Sequence, residues 1–151
     1  MKTRFHIIAV LLVCSFVASA CGGRASAADP ETSPESSQVG DFASLTDALR
    51  SAGAAIETGK QIEQPFFTVP GRIIKVNGAD VQVFEYETPE AMGLEASQVA
   101  EDGGSIGTNM VSWMESPHFY RAGRMIVLYV GEDQAVVDLL ESVLGPQFAG
   151  R

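Results

Sequence analysis

The chain has 151 residues, with ten Lys and Arg against nineteen Asp and Glu and a formal charge of −9. That length holds one domain with a real core. The acidic balance argues against a nucleic-acid binder, whose affinity comes largely from neutralising phosphates, and against electrostatic adhesion to anionic lipid.

The first segment is an export signal. Met1-Lys2-Thr3-Arg4 is basic, Phe5 to Val17 is apolar apart from His6 and Ser15, and Ala18-Ser19-Ala20-Cys21-Gly22-Gly23 is a small-residue cleavage region. The apolar run is about a dozen residues, short of the roughly 20 that span a bilayer. Ala18-Ser19-Ala20-Cys21 resembles the lipobox of bacterial lipoproteins, although that family usually has Leu where this chain has Ala18. The resemblance implies a diacylglyceryl group on the Cys21 sulfur and cleavage between Ala20 and Cys21. Two acyl chains anchor a protein stably where one does so marginally. An ordinary signal peptide cut after Ala20, Ala25 or Ala28 is the alternative. Cys14 leaves with the signal, so Cys21 is the only cysteine of the mature chain. A lone thiol in an oxidising compartment is a liability unless it is used. The expected location is therefore the extracytoplasmic side of a cell membrane, lipid-anchored, with inner versus outer membrane undecided. After residue 20 eight basic residues face nineteen acidic ones, a charge of −11, so the lipid holds the protein without electrostatic help.

Residues 21–40 read as the lipidated cysteine and a linker almost devoid of large apolar side chains, which cannot offset its own ordering entropy. As a tether it reaches about 25 Å. Residues 41–151 read as one α+β domain. Ser44 to Gly53 predicts a short helix, with Ser44 as cap and Gly53 as stop. Residues 54–63 predict a strand. Gln64 to Gly71 is irregular, because Pro65 and Pro70 exclude a central strand. Asn77-Gly78 between two β-branched runs predicts a two-residue hairpin in which Val76 faces Ala79, Lys75 faces Asp80 and Ile74 faces Val81. Thr88-Pro89-Glu90 opens a helix to about Ala100. Residues 109–121 predict a strand broken at Ser116-Pro117, and Met125 to Val130 a buried strand. Asp133 caps a final helix, Gln134 to Leu144, stopped by Gly145-Pro146. A shift of 45 superposes the two halves: Gly78 on Gly123, Val81 on Ile126, Thr88 on Asp133 and Leu94 on Leu139. The expected architecture is an αβ unit followed by two ββα units, an antiparallel sheet of about five strands with helices on one face.

Little in this pattern serves catalysis. The serines lack a nucleophile-elbow pattern, and His118, the only histidine after cleavage, offers no metal cluster. The block Gly103-Gly104-Ser105-Ile106-Gly107-Thr108 lacks the Lys-Ser/Thr of a phosphate loop and follows a helix. No cofactor and no metal are expected. Glu115 and His118, three residues apart, form the one candidate acid–base pair; the plainer reading leaves both in a solvated Ser-Pro loop. Two proline-stiffened aromatic stretches stand out: Phe66-Phe67, and Trp113 with His118-Phe119-Tyr120-Arg121. They either fill the core or line one apolar groove, with Arg121 or Arg124 as a polar anchor.

Residues 44–150, through Gln64-Pro65-Phe66-Phe67-Thr68-Val69-Pro70-Gly71 and His118-Phe119-Tyr120-Arg121-Ala122-Gly123-Arg124, also resemble a group of small bacterial lipoproteins, a likeness that brings no activity with it. The leading expectation is a non-enzymatic module that binds an envelope protein or a small apolar ligand. The alternatives are an envelope hydrolase using Glu115 and His118, and a structural or assembly accessory.

Overall fold

A computed structural model describes residues 39–151. The expectations for residues 1–38, including cleavage at Ala20 and lipidation of Cys21, lie outside the described residues.

Helix α1 spans Phe42–Ser51 and begins before Ser44. Asp41 is its cap: its carboxylate accepts from the Ser44 N–H at 2.9 Å, while the Ser44 hydroxyl lies 3.0 Å from the Asp41 N–H. The reciprocal pair satisfies two orphan donors of the first turn, so Ser44 serves as third helical residue rather than cap. Gly53, at φ +90, stops the helix where a side chain would be strained.

Strands β1 (Ile56–Ile62), β2 (Gly71–Val76) and β3 (Ala79–Glu85) form a meander. The expected hairpin register holds: Ile74 pairs with Val81, Lys75 with Asp80 and Val76 with Ala79. Asn77 and Gly78 both take positive φ, 53° and 91°, as a primed two-residue turn requires. Helix α2 (Pro89–Ala96) is capped by Thr88 and ends four residues short of the expected Ala100. A short hairpin follows, β4 (Ser105–Ile106) with β5 (Asn109–Met110). Then come β6 (Pro117–Ala122), β7 (Met125–Val130), α3 (Gln134–Leu144, capped by Asp133) and β8 (Ala149–Gly150).

The main sheet has six strands in the order β1-β2-β3-β7-β6-β8, every pair antiparallel. The α+β class and the antiparallel sheet stand as expected. Both faces of the sheet are covered. On one face α1 and α3 bury Ile74, Val76, Val81, Val83, Tyr120, Val127 and Tyr129. On the other, α2, the Phe66-Phe67 loop and Ile106 bury Phe84, Phe119, Ile126 and Leu128.

This corrects the expectation that all helices share one face. Asn77, the first turn residue of β2–β3, lies eleven residues before the cap Thr88; its counterpart Gly123 lies ten before Asp133. Side chains alternate along a strand, so a one-residue difference reverses the side on which the chain leaves the sheet. The 45-residue shift accordingly places Val81 on Ile126, whose side chains lie on opposite faces. The ββα order recurs, with its helices on opposite sides.

Candidate functional site

The loop between β1 and β2 lies on the α2 face and there meets the segment before β6. Phe66 and Phe67 pack edge to face at 5.0 Å between centroids, and Phe67 lies 4.6 Å from Phe84. Phe66 reaches Trp113 at 6.0 Å and 74°, and Trp113 reaches Phe119 at 5.9 Å and 72°. Such edge-to-face pairs stabilise by about 0.5–1.5 kcal/mol beyond area burial. The structure thus brings together Phe66, Phe67, Trp113 and Phe119 of the two aromatic stretches singled out from the sequence, and leaves His118, Tyr120 and Arg121 out of the cluster.

Their members divide by depth. Phe67 and Phe119 are buried and belong to the core; Phe66 and Trp113 form the outer layer, half-buried. Tyr120 is buried on the opposite face, among residues packed beneath α1 and α3. Its hydroxyl has no hydrogen-bond partner, and burial, reinforced by Glu141 and Asp138, pushes it up to about 12. Arg121 is exposed, with its guanidinium 5.4 Å from the Phe148 ring. Arg124 sits at the far end of β6–β7, paired with Glu85 at 2.7 Å.

His118 is 7 % exposed and stacks on Tyr129 at 5.8 Å and 18°. Its Nδ1 lies 2.9 Å from Gln147 Oε1 and its Nε2 3.1 Å from the Gly131 carbonyl oxygen. The Nε2–H donates to the Gly131 carbonyl, and Nδ1 faces the Gln147 side-chain amide. Glu115 is exposed and makes no hydrogen bond to His118, whose two nitrogens are already engaged in fastening the β7–α3 and α3–β8 connections to β6.

The glycine-rich block builds the seat for the tryptophan. Gly103 and Gly107 take positive φ, 69° and 57°, and turn the chain into and through the β4–β5 hairpin. The Gly103 carbonyl accepts from the Trp113 indole N–H at 2.7 Å. This fixes the ring by its polar edge, as a half-buried indole requires.

Sequence reasoning missed the residues outside this ring. From Met110 to Met114 burial alternates: Val111 and Trp113 turn inward, Met110, Ser112 and Met114 outward. Met110 is 89 % exposed and Met114 99 %. Alternation within Met110-Val111-Ser112-Trp113-Met114 is the signal the sequence carries, and it merges there with the strand predicted over 109–121. Met114 and Trp113 line an open cleft of about 400 Å³ with Ser112, Glu115, Glu132 and Arg151. Glu132 fastens the cleft's floor: its carboxylate accepts from the Ser116 hydroxyl at 2.7 Å and the Ser116 N–H at 3.1 Å. Those two donors hold its carboxyl below the usual range.

Beneath the 66–70 loop, Glu95 is buried and accepts from the Thr68 hydroxyl at 2.7 Å. The Tyr86 hydroxyl nearby has no partner, and burial, aided by Glu95, pushes it well above the ordinary phenol value. Among the described residues no three His, Cys, Asp or Glu converge as metal ligands, and no helix is long and apolar enough to cross a membrane. No protein-family model matches the chain, and neither a curated protein nor a solved structure does.

Proposed function

We propose that the protein is a membrane-anchored, extracytoplasmic, non-enzymatic module that binds a protein partner through the surface around Phe66, Met110, Trp113 and Met114. The observation that carries this reading is the exposure of both methionines on a stretch whose alternate residues are rooted in the core. Exposed apolar side chains that cluster mark interaction surfaces; Met110 and Met114 both point outward from one five-residue stretch, and methionine adapts its shape to a partner. A fixed aromatic base under flexible methionines suits recognition of a protein surface.

The position of this surface fits a tethered module. The chain joins the domain at the β6–β7 turn, where the Gly40 carbonyl accepts from the Arg124 N–H at 3.1 Å. Trp113 to Ser116 precede β6 at its other end. Six residues of strand separate the two ends, about 20 Å at the usual rise. A lipid on Cys21 would then hold the domain by one end and present the methionines at the other.

Crosslinking in native membranes followed by capture tests the reading. The wild-type chain is expected to yield a defined partner that the Met110→Gln/Met114→Gln variant loses at unchanged melting temperature. Recovery of the same abundant envelope proteins by both chains counts against it. Glu115→Ala with His118→Ala tests the hydrolase alternative, which predicts loss of a hydrolytic activity in envelope extracts. Cys21→Ala is expected to release the protein from membranes; a variant still sedimenting with them after a salt wash contradicts the anchor.

A further inference from the structure

We infer that Ser112 to Glu115 is a strand-addition site for an extended, cationic, apolar-faced segment of a protein partner. The inference rests on the interaction-module reading and adds the conformation and charge of the partner.

Three observations converge on it. The first is backbone valence. The N–H and C=O groups of Ser112, Trp113, Met114 and Glu115 have no hydrogen-bond partner among the described residues; the last backbone bond before them runs from Val111 N–H to Gly104 O, 3.1 Å, and the next groups engaged are those of Ser116, with the Glu132 carboxylate and Gly131 N–H. An extended peptide laid beside such a stretch gains main-chain hydrogen bonds, while its alternate side chains read the flanking pockets.

The second is the side-chain row. Met110 and Met114 stand on one side of the segment and Trp113 on the other. An added strand with apolar residues at every second position would cover the methionines. The free edge of the main sheet is built differently: β1 carries Lys60, Glu57 and a register irregularity between Thr58 and Gln61. Charge and bulges are the usual means of keeping an edge unpaired; Ser112 to Met114 carries no charge, and the chain bends at Met114 and Glu115, where the charge of Glu115 follows.

The third is charge. Glu115 and Glu132 line the cleft beside Met114, and Asp102 bonds the N–H of Gly104 on its rim at 2.8 Å. Among the described residues, Arg151 is the one cation lining the same cleft. Residues 39–151 carry seven Lys and Arg against sixteen Asp and Glu. A basic strand is attracted, while a second copy of this acidic chain is repelled.

Trp113 is the only tryptophan of the chain, so its emission reports the site directly. The full chain, in mild detergent, is titrated with three short synthetic peptides: alternating Lys and Val, alternating Glu and Val, and the Lys–Val peptide with alternate amides N-methylated. The Lys–Val peptide is expected to shift Trp113 emission and to bind about tenfold or more tightly than either other peptide. Met110→Gln/Met114→Gln is expected to weaken it about tenfold, and added salt to weaken it further. Equal binding of the Lys–Val and Glu–Val peptides overturns the inference, as does undiminished binding of the N-methylated peptide. A dimer in sedimentation with this segment crosslinked between copies also overturns it. If the native-membrane capture succeeds while the Lys–Val peptide leaves Trp113 unchanged, strand addition is refuted and the interaction module stands; if both fail, both fall.

Discussion

Phe67→Ala separates core from surface within the aromatic cluster. The ring is 7 % exposed, lies 4.6 Å from Phe84 and 5.0 Å from Phe66, and anchors an irregular loop to the sheet. Truncating a buried phenylalanine costs about 3–5 kcal/mol, because transfer energy is lost and a cavity remains. Against a total stability of about 5–15 kcal/mol this is a large fraction, and it lowers the melting temperature on the order of 10–20 °C. Thermal unfolding followed by near-ultraviolet circular dichroism measures the fall. Met110→Ala and Met114→Ala, on exposed side chains, should stay within about 0.5 kcal/mol of wild type. A Phe67→Ala cost below about 1 kcal/mol would refute the core assignment and return Phe67 to the exposed recognition surface.

Backbone fit gives a second test. A Cβ on Gly71 would lie 2.5 Å from Phe84 Cε1, so Gly71→Ala should cost about 1–3 kcal/mol in urea unfolding; a neutral result would mean that the Phe84 ring moves freely. Gly123→Ala meets backbone instead, 2.3 Å from Gly40 Cα and at φ +55. It should expose residues 39–40 to faster hydrogen exchange, and unchanged exchange there would contradict the docking of Gly40. Glu132 has its folded value lowered from 4.5 by the Ser116 hydroxyl and N–H, so its contribution is present above the unfolded value and lost as pH falls through the lower folded one. The Ser116 amide resonance should therefore titrate below pH 4.5, and a midpoint at or above that value refutes the latch. The Tyr120 and Tyr86 hydroxyls are shifted upward by burial. Their neutral forms favour the folded state fully below the unfolded value near 10, an advantage lost as pH rises toward the folded value of about 12 for Tyr120. Tyrosinate absorbance from these residues should rise together with unfolding; ionisation in a still-folded chain contradicts their burial.

The fold was legible where local chemistry decides it. Asn77-Gly78 set the turn and register of β2–β3, and Thr88-Pro89 and Asp133 set the starts of α2 and α3. The side on which each helix packs was not legible, because it turns on a single residue between hairpin and cap, and both helices follow apolar strands. Strands β4, β5 and β8 have two residues each, too few for periodicity to show. At the site, proline-stiffened aromatics pointed to Phe66 and Trp113, and their contact at 6.0 Å follows from the loop crossing the α2 face. Exposure of Met110 and Met114 was hidden because methionine is ordinarily buried, and only the tertiary packing of Val111 and Trp113 turns its neighbours outward. Glu132 was out of reach of a local reading: its partner Ser116 is sixteen residues away.

The most direct test of the interaction surface is a photo-reactive residue placed in native cells either at position 114 or at exposed Ala52, which follows α1. The account predicts that position 114 alone yields a discrete crosslinked species, and that Met110→Gln with Ser112→Pro removes it. The same crosslinks from both positions, or a species from 114 that survives those substitutions, would contradict it.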